Sequence, residues 1–302
     1  MIQKNTEFAY FAGYLDGDGC FYIVHERSSK HKRVKPVITI VINSVNKPTL
    51  ESFKKVFGGS IQLSKESHNN SKSLFRYTVR KRNILNFINK ILPYLVEKKE
   101  ECENAIKFSN TTSYNDQKKL INHIRIMKDV GNLVSRYHKH EFEKHRNTII
   151  PTEEDFAYLA GFIDAECCLG ISKYKPKNKP NYVYKILLQC NNTKAPVFKW
   201  LLERFGGSIH FVDRLTHQKA RKNQLTWRLQ SKTLSKILSK IHHFLRHKKP
   251  VCEELIKFYE TTLNNGGARH TESFRLSYEK NLAIREEIVS RVHKLNLKGN
   301  SV

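Results

Sequence analysis

The chain has 302 residues, enough for about two domains that each bury a hydrophobic core. It carries 54 Lys and Arg against 28 Asp and Glu, a formal net charge of +26, together with 17 Phe and 13 Tyr. This composition excludes a basic disordered tail, and because the sequence contains no long apolar run it favours nucleic acid over a membrane as the partner.

The first predicted element is a helix that begins near Asn5 or Thr6 and ends near Asp16. Small residues recur along it at every fourth position and share one stripe, where a second backbone can approach closely. This stripe consists of Ala9, Gly13 and Gly17. Bulky residues follow i, i+3, i+7 spacing on another face, so the helix is also predicted to bury an apolar face in a core of its own.

Alternating strands and further helices follow this first helix. The predicted strands are 20–27, 37–43, 60–64 and 74–80, and the predicted helices are 47–57, 83–92, 98–109 and 118–137. Pro48 suits a helix start, and the Gly58-Gly59 pair suits its end. Each strand has apolar residues on one side and basic or hydroxylated residues on the other, which is typical of a sheet with one covered face.

The second half of the chain repeats the first. Phe156–Ile171 follows Phe8–Ile23 at an offset of 148 residues, and 8 of the 16 aligned positions are identical. The equivalent small stripe consists of Ala157, Gly161 and Ala165. The segment VFGGSI at 56–61 returns as RFGGSI at 204–209, and Lys98-Lys99 returns as Lys248-Lys249 at an offset of 150. The duplication therefore covers nearly the whole chain.

The duplication predicts an α+β fold with two pseudo-symmetric αββαββα repeats. We expect an N-terminal repeat over 1–137, a charged linker over 138–151 and a C-terminal repeat over 152–302. Each repeat should have a four-stranded, mainly antiparallel sheet with helices on one face, and the two should pack through their small-residue helices. The uncovered sheet faces then need a partner.

The duplicated motifs FAGYLDGDG (Phe11–Gly19) and LAGFIDAEC (Leu159–Cys167) resemble those of single-chain, two-motif LAGLIDADG homing endonucleases. This resemblance implies a monomeric, intron-encoded enzyme whose two sheets form a saddle along a DNA duplex. It also implies that Asp18 and Glu166, the last acids of the motifs, bind a divalent metal. Magnesium is the expected cofactor, with Mn²⁺ as a substitute and Ca²⁺ supporting DNA binding without cleavage.

Other motif residues are expected to have supporting roles. Asp16 and Asp164 should form structural hydrogen bonds at the helix ends, and Cys167 replaces the final glycine of the motif. The resemblance implies that Lys98 and Lys248 reach the scissile phosphates, although an exposed helical lysine is usually only solvated. Three amides near the motif helices are candidates to order catalytic water: Gln189, Asn43 and Asn191.

Sequence readout is expected from the outward side chains of the strands. The candidates are Tyr22, Glu26, Thr39, Asn43, Gln62, Arg76, Arg80, Tyr174, Lys185, His210, Arg228 and Gln230. Arginine suits guanine and glutamine suits adenine in the major groove. The loop lysines Lys32 and Lys177 should instead contact phosphates. Because the two outward faces differ, the target should be only partly palindromic.

The function predicted from these features is cleavage of both strands of a long double-stranded DNA site. An RNA maturase that assists splicing of its host intron, and a non-cleaving DNA-binding regulator, are the alternatives on the same fold. The six cysteines lack metal-ligand spacing and are expected to be thiols in a reducing compartment. Residues 1–7 do not resemble a signal peptide, so the protein is expected to be made where it works. Plentiful Lys, Asn and Ile fit an A/T-rich genome, and an organelle or the bacterial cytoplasm is the expected location.

Overall fold

The computed structural model describes residues 2–27, 34–66, 72–80, 82–129, 135–177, 182–213, 222–263 and 272–298. The N-terminal helices are α1 (Ile2–Asp18), α2 (Lys47–Phe57), α3 (Arg82–Ile91), α4 (Lys99–Asn110), α5 (Tyr114–Asp129) and α6 (Arg136–Glu143). The strands between them are β1 (Gly19–Arg27), β2 (Val34–Ser44), β3 (Ser60–Lys65) and β4 (Leu74–Arg80). A short 3₁₀ turn, Leu92–Tyr94, follows α3.

The C-terminal repeat has the same order. Its helices are α7 (Glu153–Glu166), α8 (Pro196–Phe205), α9 (Ser231–Ile241), α10 (Lys249–Leu263) and α11 (Glu272–Lys298). Its strands are β5 (Cys167–Tyr174), β6 (Val183–Asn192), β7 (Ser208–Val212) and β8 (Gln224–Gln230). The α+β prediction of two pseudo-symmetric αββαββα repeats is confirmed. In the part of the chain that the structure describes, no helix has the length and apolar character needed to cross a membrane.

The two sheets have the same topology and the same register, apart from a shift between Leu63 and Lys65 on β3. Their strand orders are β1-β2-β4-β3 and β5-β6-β8-β7, with every pair antiparallel. Gly19 pairs with Ile42 at the start of β1, and Cys167 pairs with Cys190 at the start of β5. Each sheet therefore begins directly at the end of a motif helix, which fixes the last helical residues relative to the sheet.

Local signals explain where the helices between strands begin and end. The Asn46 side chain accepts the Thr49 N–H at 2.9 Å, so it caps α2 just before Pro48. Gly58 ends this helix at a φ of 73°, a conformation that favours glycine. Gly206 ends α8 in the same way at 63°. The conserved geometry of the two copies therefore follows from the same Gly-Gly pair in each.

The core of each repeat lies between its helices and the inner face of its sheet. Phe53 of α2 packs its ring 5.7 Å from Tyr77 of β4 and 6.2 Å from Phe87 of α3, measured between ring centroids. In the C-terminal repeat the buried Trp227 donates its indole N–H to the carbonyl oxygen of Gly206 at 2.7 Å. Burial of these aromatic side chains makes each repeat a stable platform for the opposite face of its sheet.

The motif helices α1 and α7 cross at their small residues. A Cβ atom on Gly13 would lie 2.0 Å from the carbonyl oxygen of Tyr158, and one on Gly161 would lie 2.0 Å from that of Tyr10. A Cβ atom on Gly17 would lie 2.5 Å from the Ala165 Cβ. Ala9 and Ala157 are also fully buried. Backbone therefore packs against backbone, which brings the C-terminal ends of both helices together.

Several details differ from the sequence predictions. Helix α1 continues to Asp18, two residues past the predicted end. The single helix predicted over 118–137 is replaced by α5 and α6, and α6 occupies part of the predicted linker, where Phe142 is buried. The prediction that all six cysteines are free thiols is also wrong, because Cys167 and Cys190 form a disulfide between β5 and β6. The repeat boundaries stay predictions.

Candidate active site

An aspartate in each motif helix binds the turn that precedes α4 or α10. The Asp16 carboxylate accepts the N–H groups of Val96, Glu97 and Lys98 at 2.8, 3.0 and 2.9 Å. This side chain is fully buried, so the three bonds satisfy a charge that would otherwise be costly. They also fix the position of Lys98 relative to the end of α1.

The C-terminal repeat has an equivalent arrangement. Asp164 accepts the N–H groups of Arg246, His247 and Lys248 at 2.8, 3.1 and 2.7 Å. The structure therefore places Asp16 and Asp164 in structural hydrogen-bond networks at the helix ends, the role that the sequence predicts for them.

Tyrosines connect each of these aspartates to the other repeat. The Tyr158 hydroxyl donates to Asp16 Oδ2 at 2.6 Å, and the Tyr10 hydroxyl donates to Asp164 Oδ2 at 2.8 Å. Burial, together with the neighbouring carboxylate, raises the pKa of both tyrosines, so they remain neutral donors. This pair was not predicted, because its only signal in the sequence is a Tyr at the same position of each motif helix.

Asp18 and Glu166 lie at the last positions of the two motif helices. Burial raises the pKa of Asp18 to about 7, against the opposing effect of Lys248 and Lys98. Partial burial raises the pKa of Glu166 to about 7, and the nearby charge of Asp18 adds to this shift. The two repeats therefore bring their predicted metal-binding acids close enough to repel each other.

This pair of carboxylates fits a hard divalent cation. Mg²⁺ prefers oxygen ligands, is held by few carboxylates, and keeps waters or substrate oxygens in its remaining positions. Within the described ranges no group of three or more His, Cys, Asp and Glu side chains is arranged to hold a metal. Such a site would therefore depend on solvent and substrate oxygens to complete its ligands.

The two predicted lysines lie beside these acids and are not solvated helix residues. Lys98 is 8% exposed, and its ammonium group donates to the main-chain oxygen of Asp16 and lies 3.5 Å from Glu97. The Lys248 ammonium donates to the main-chain oxygens of Ile163 and Asp164 at 2.6 and 2.9 Å. Each cation thus caps the negative end of a motif helix.

The residues that precede these two lysines were not predicted to belong to the site. Glu97 and His247 occupy equivalent positions, and each contacts the opposite repeat. A Glu97 carboxylate oxygen accepts a hydrogen bond from Asn192 at 2.9 Å, and His247 Nδ1 accepts one from the Asn46 side chain at 2.8 Å. The offset of 150 that aligns the lysine pairs also aligns these two residues, so the difference was visible in the sequence.

The three predicted water-ordering amides bind side chains on the outward sheet faces. Gln189 Oε1 accepts the Arg228 Nε–H at 3.0 Å, and Asn43 Oδ1 accepts the Arg76 Nε–H at 3.2 Å. Asn191 accepts a hydrogen bond from the Thr226 hydroxyl at 2.7 Å. The structure therefore brings Gln189 to an arginine of its own sheet.

Most of the predicted DNA-reading side chains lie on the outward faces. The exposed ones are Tyr22, Gln62, Arg76, Arg80, Tyr174, His210 and Gln230, while Asn43, Lys185 and Arg228 are half-buried. The Lys185 ammonium lies 5.6 Å from the centre of the Tyr174 ring. Lys177 is exposed, whereas Lys32 and the side chain of Glu26 lie outside the described residues.

Thr39 is a correction. Its side chain faces outward but is only 1% exposed, and its hydroxyl has no hydrogen-bond partner among the described residues. Thr39 pairs with Tyr22 on one side and with Arg80 on the other, so two long side chains of the same face flank it. A short threonine on a central strand is therefore covered by its neighbours and does not present a group to a ligand.

Comparisons with known proteins agree with this arrangement. The family model described as LAGLIDADG endonuclease matches residues 11–102, from the first motif to α4. A LAGLIDADG meganuclease, I-AabMI, bound to uncleaved DNA is 19% identical, with a TM-score of 0.64 over 94% of this chain and 98% of that one. The I-SmaMI homing endonuclease bound to cleaved DNA is 18% identical, with a TM-score of 0.61 over 93% and 95%.

A further I-SmaMI structure, bound to an uncleaved DNA target in the presence of calcium ions, is 19% identical, with a TM-score of 0.61. It covers 92% of this chain and 97% of that one. No curated protein matches the chain. At these identities the structural likeness establishes the fold of both repeats, and the family model identifies the first motif.

Proposed function

We propose that this two-repeat chain is a LAGLIDADG endonuclease, a site-specific enzyme that hydrolyses both strands of one long, partly palindromic DNA duplex. The observation that carries this proposal is the position of Asp18 and Glu166. They come from different repeats and end adjacent helices, and burial raises the pKa of each to about 7, with the charge of Asp18 adding to the shift of Glu166.

Asp18 and Glu166 would hold Mg²⁺ between the protein and the substrate. The bound metal supplies a Lewis acid that activates water and neutralises charge on the attacking and leaving oxygens. The ammonium groups of Lys98 and Lys248 add fixed positive charge beside the same acids, where a phosphodiester gains negative charge in the transition state. Asp16 and Asp164 position both lysines through the three N–H bonds of each turn.

The sheet faces and the net charge supply substrate binding. A formal charge of +26 attracts DNA over a long distance, and outward arginines and amides can contact bases in the major groove. The presence of an acid at both metal positions favours cleavage over the role of a non-cleaving regulator. A maturase function on host intron RNA would be a separate activity of the same fold.

The direct test is selection of cleaved sites from a randomised duplex library with Mg²⁺. Asp18→Asn and Glu166→Gln should each abolish double-strand cutting of the selected site while keeping its binding in Ca²⁺. The matched controls are Glu51→Gln and Asp116→Asn, which change exposed acids on α2 and α5. Parental cutting by both site variants, or cutting by neither the parent nor the controls, would contradict the proposal.

A further inference from the structure

The outward faces of the two sheets can be compared row by row because their registers match over the rows nearest the motif helices. The pairs Gly19 with Ile42 and Cys167 with Cys190 mark the same point in each repeat. The residues that follow Ile42 on β2 and Cys190 on β6 belong to a row of outward side chains that we call the inner row. It contains Asn43, Arg76 and Gln62 in the N-terminal sheet and Asn191, Thr226 and His210 in the C-terminal sheet.

The next row on the same face, here called the outer row, lies two residues further from the motif carboxylates. It contains Val41 and Thr78 in the N-terminal sheet, and Gln189 and Arg228 in the C-terminal sheet. Arginine and threonine have therefore exchanged rows between the repeats. The N-terminal arginine is in the inner row, and the C-terminal arginine is in the outer row.

Both arginines are held in the same way despite this displacement. Arg76 Nε donates to Asn43 Oδ1 in its own row, and Arg228 Nε donates to Gln189 Oε1 in its own row. The C-terminal sheet has an additional amide acceptor in the outer row, since Gln189 occupies the position of Val41 in the N-terminal sheet, while Asn191 remains in the inner row. Each arginine thus has an amide partner on the neighbouring strand. The difference between the repeats therefore involves residues of two adjacent strands.

A bond to Nε orients the guanidinium group and leaves its two terminal nitrogens directed away from the amide. Those two nitrogens form a fork that matches the O6 and N7 acceptors of guanine. Holding the fork in place before binding reduces the side-chain entropy lost on contact. The buttressed arginines lie on the outward sheet faces, so this fixed fork is suited to reading a base in the major groove.

We infer that Arg76 and Arg228 each read a guanine, and that the guanine read by Arg76 lies about two base pairs nearer the centre of the target. Rows on one face are separated by two residues of about 3.4 Å each, and base pairs rise by about 3.4 Å. This inference rests on the proposed function. The target should therefore be asymmetric at these two guanine positions, whatever contacts the loops make with DNA.

The first test uses Arg76→Lys and Arg228→Lys, which keep the charge and remove the fork. Binding in Ca²⁺ and cleavage in Mg²⁺ are measured on the selected target and on every single base-pair change in it. Each variant should lose about 10- to 100-fold discrimination for guanine at one position. The two positions should differ by about two base pairs in their distance from the centre of cleavage. Equal distances, or a uniform loss on all sequences, would overturn the inference.

The second test moves the arginine. Thr226→Arg combined with Arg228→Thr gives the C-terminal sheet the N-terminal arrangement, with Asn191 already present as the acceptor. The guanine preference of that half-site should move about two base pairs toward the centre. A melting curve checks the fold, because Thr226 is only 4% exposed. An unmoved preference in a folded variant contradicts the inference.

The outcomes separate the two proposals. A parent protein that cuts no duplex in the library contradicts the proposed function. A parent that cuts a specific duplex, but whose arginine variants change discrimination at positions equally far from its centre, leaves the function intact and overturns only the row displacement. If the moved-arginine variant does not fold, the two lysine variants still decide the question.

Discussion

The turns before α4 and α10 have the same backbone arrangement and different charge. Each donates three consecutive N–H groups to an aspartate of its motif helix, and each places a lysine at the end of that helix. The residue before the lysine is Glu97 in the first turn and His247 in the second. Each of these side chains contacts an asparagine of the opposite repeat, Asn192 or Asn46.

This difference contributes to opposite pKa shifts of the two lysines. Burial lowers the pKa of Lys98, but the adjacent Glu97, with other acids, more than offsets it, and the pKa is raised. Burial also lowers the pKa of Lys248, and Asp164 offsets only part of it, so the pKa is lowered. Burial and the neighbouring Lys248 in turn lower the pKa of His247, which leaves it neutral. The two repeats thus share the backbone geometry of this turn but differ in the pKa of the equivalent lysines, Lys98 and Lys248.

The largest effect is expected where the repeats are most alike. Gly13→Ala or Gly161→Ala would each place a Cβ atom 2.0 Å from a carbonyl oxygen of the other helix, so the helices must separate. Catalytic geometry is sensitive to shifts of about 1 Å, and cutting should fall by about 100-fold. Thermal melting and cleavage assays measure both consequences.

The matched control is Gly170→Ala, whose Cβ atom would lie 3.6 Å from the Asn296 side chain, an ordinary contact. It should melt within a few degrees of the parent. If Gly13→Ala and Gly170→Ala had the same stability and activity, the close crossing of α1 and α7 would be excluded.

A smaller loss is expected from removing one lysine. Lys98→Met or Lys248→Met keeps the length of the side chain and removes its charge beside the acids. Cutting should fall by about 10- to 100-fold, below the roughly 100- to 1000-fold typical of losing an oxyanion-hole donor, because the other lysine remains beside the same acids. A duplex labelled at both 5′ ends shows whether each variant slows one strand more than the other. Lys90→Met on α3 is the control, and a loss of the same size there would contradict a local role.

Exchanging the residues before the lysines should have a smaller effect still. Glu97→His combined with His247→Glu transfers the counter-charge from Lys98 to Lys248. The strand that the parent cuts first should then be cut second, with individual strand rates changed by roughly three- to tenfold, because one pKa unit is a tenfold change in protonation. Rates on the doubly labelled duplex between pH 6 and pH 9 would measure this. An unchanged strand order would show that this position does not distinguish the two sites.

The smallest effect concerns the metal-free protein. The pKa of Asp18 rises from 3.8 to about 7 on folding, so between these values the folded state retains a proton that the unfolded state releases. This carboxylate therefore destabilises the folded state increasingly as pH rises from about 4 to about 7. Asp18→Asn should raise the melting temperature by a few degrees at pH 8 and by almost nothing near pH 4.

Glu166→Gln should have the same sign and a smaller effect, because Glu166 is the more exposed acid. Asp116→Asn, an exposed change on α5, is the control. Adding Ca²⁺ should raise the melting temperature of the parent and not of the Asp18→Asn variant. Stabilisation of the variant by Ca²⁺ to the parental extent would contradict a metal site at Asp18.

The fold was predictable because its main determinants are local or repeated. The small stripe on α1 requires a close helix contact wherever its partner lies, and the Gly58-Gly59 pair ends a helix through its own backbone. The hydrogen bond from Tyr10 to Asp164 spans 154 residues and has no local signal. Thr39 looked accessible in the strand pattern, but its exposure depends on the side chains of two neighbouring strands.

The same distinction explains the cysteines and the site. Cys167 and Cys190 are separated by 23 residues, and only the register of β5 and β6 makes them neighbours. Asp18 and Glu166 could be found because each ends a motif. Glu97 is next to Lys98 but lies on a turn far from the motif in sequence, so its place at the end of α1 follows only from the bonds of that turn to Asp16.

The crossed tyrosines make each half self-complementary. Each repeat presents a tyrosine donor and an aspartate acceptor at the same positions of its motif helix, and each bond has its counterpart across the pseudo-two-fold axis. An interface of this kind is isologous, so one repeat could pair with a second copy of itself through the same two bonds. The covalent connection between the halves is then a means of holding two unlike reading surfaces together, since the two tyrosine–aspartate bonds by themselves do not distinguish one repeat from the other.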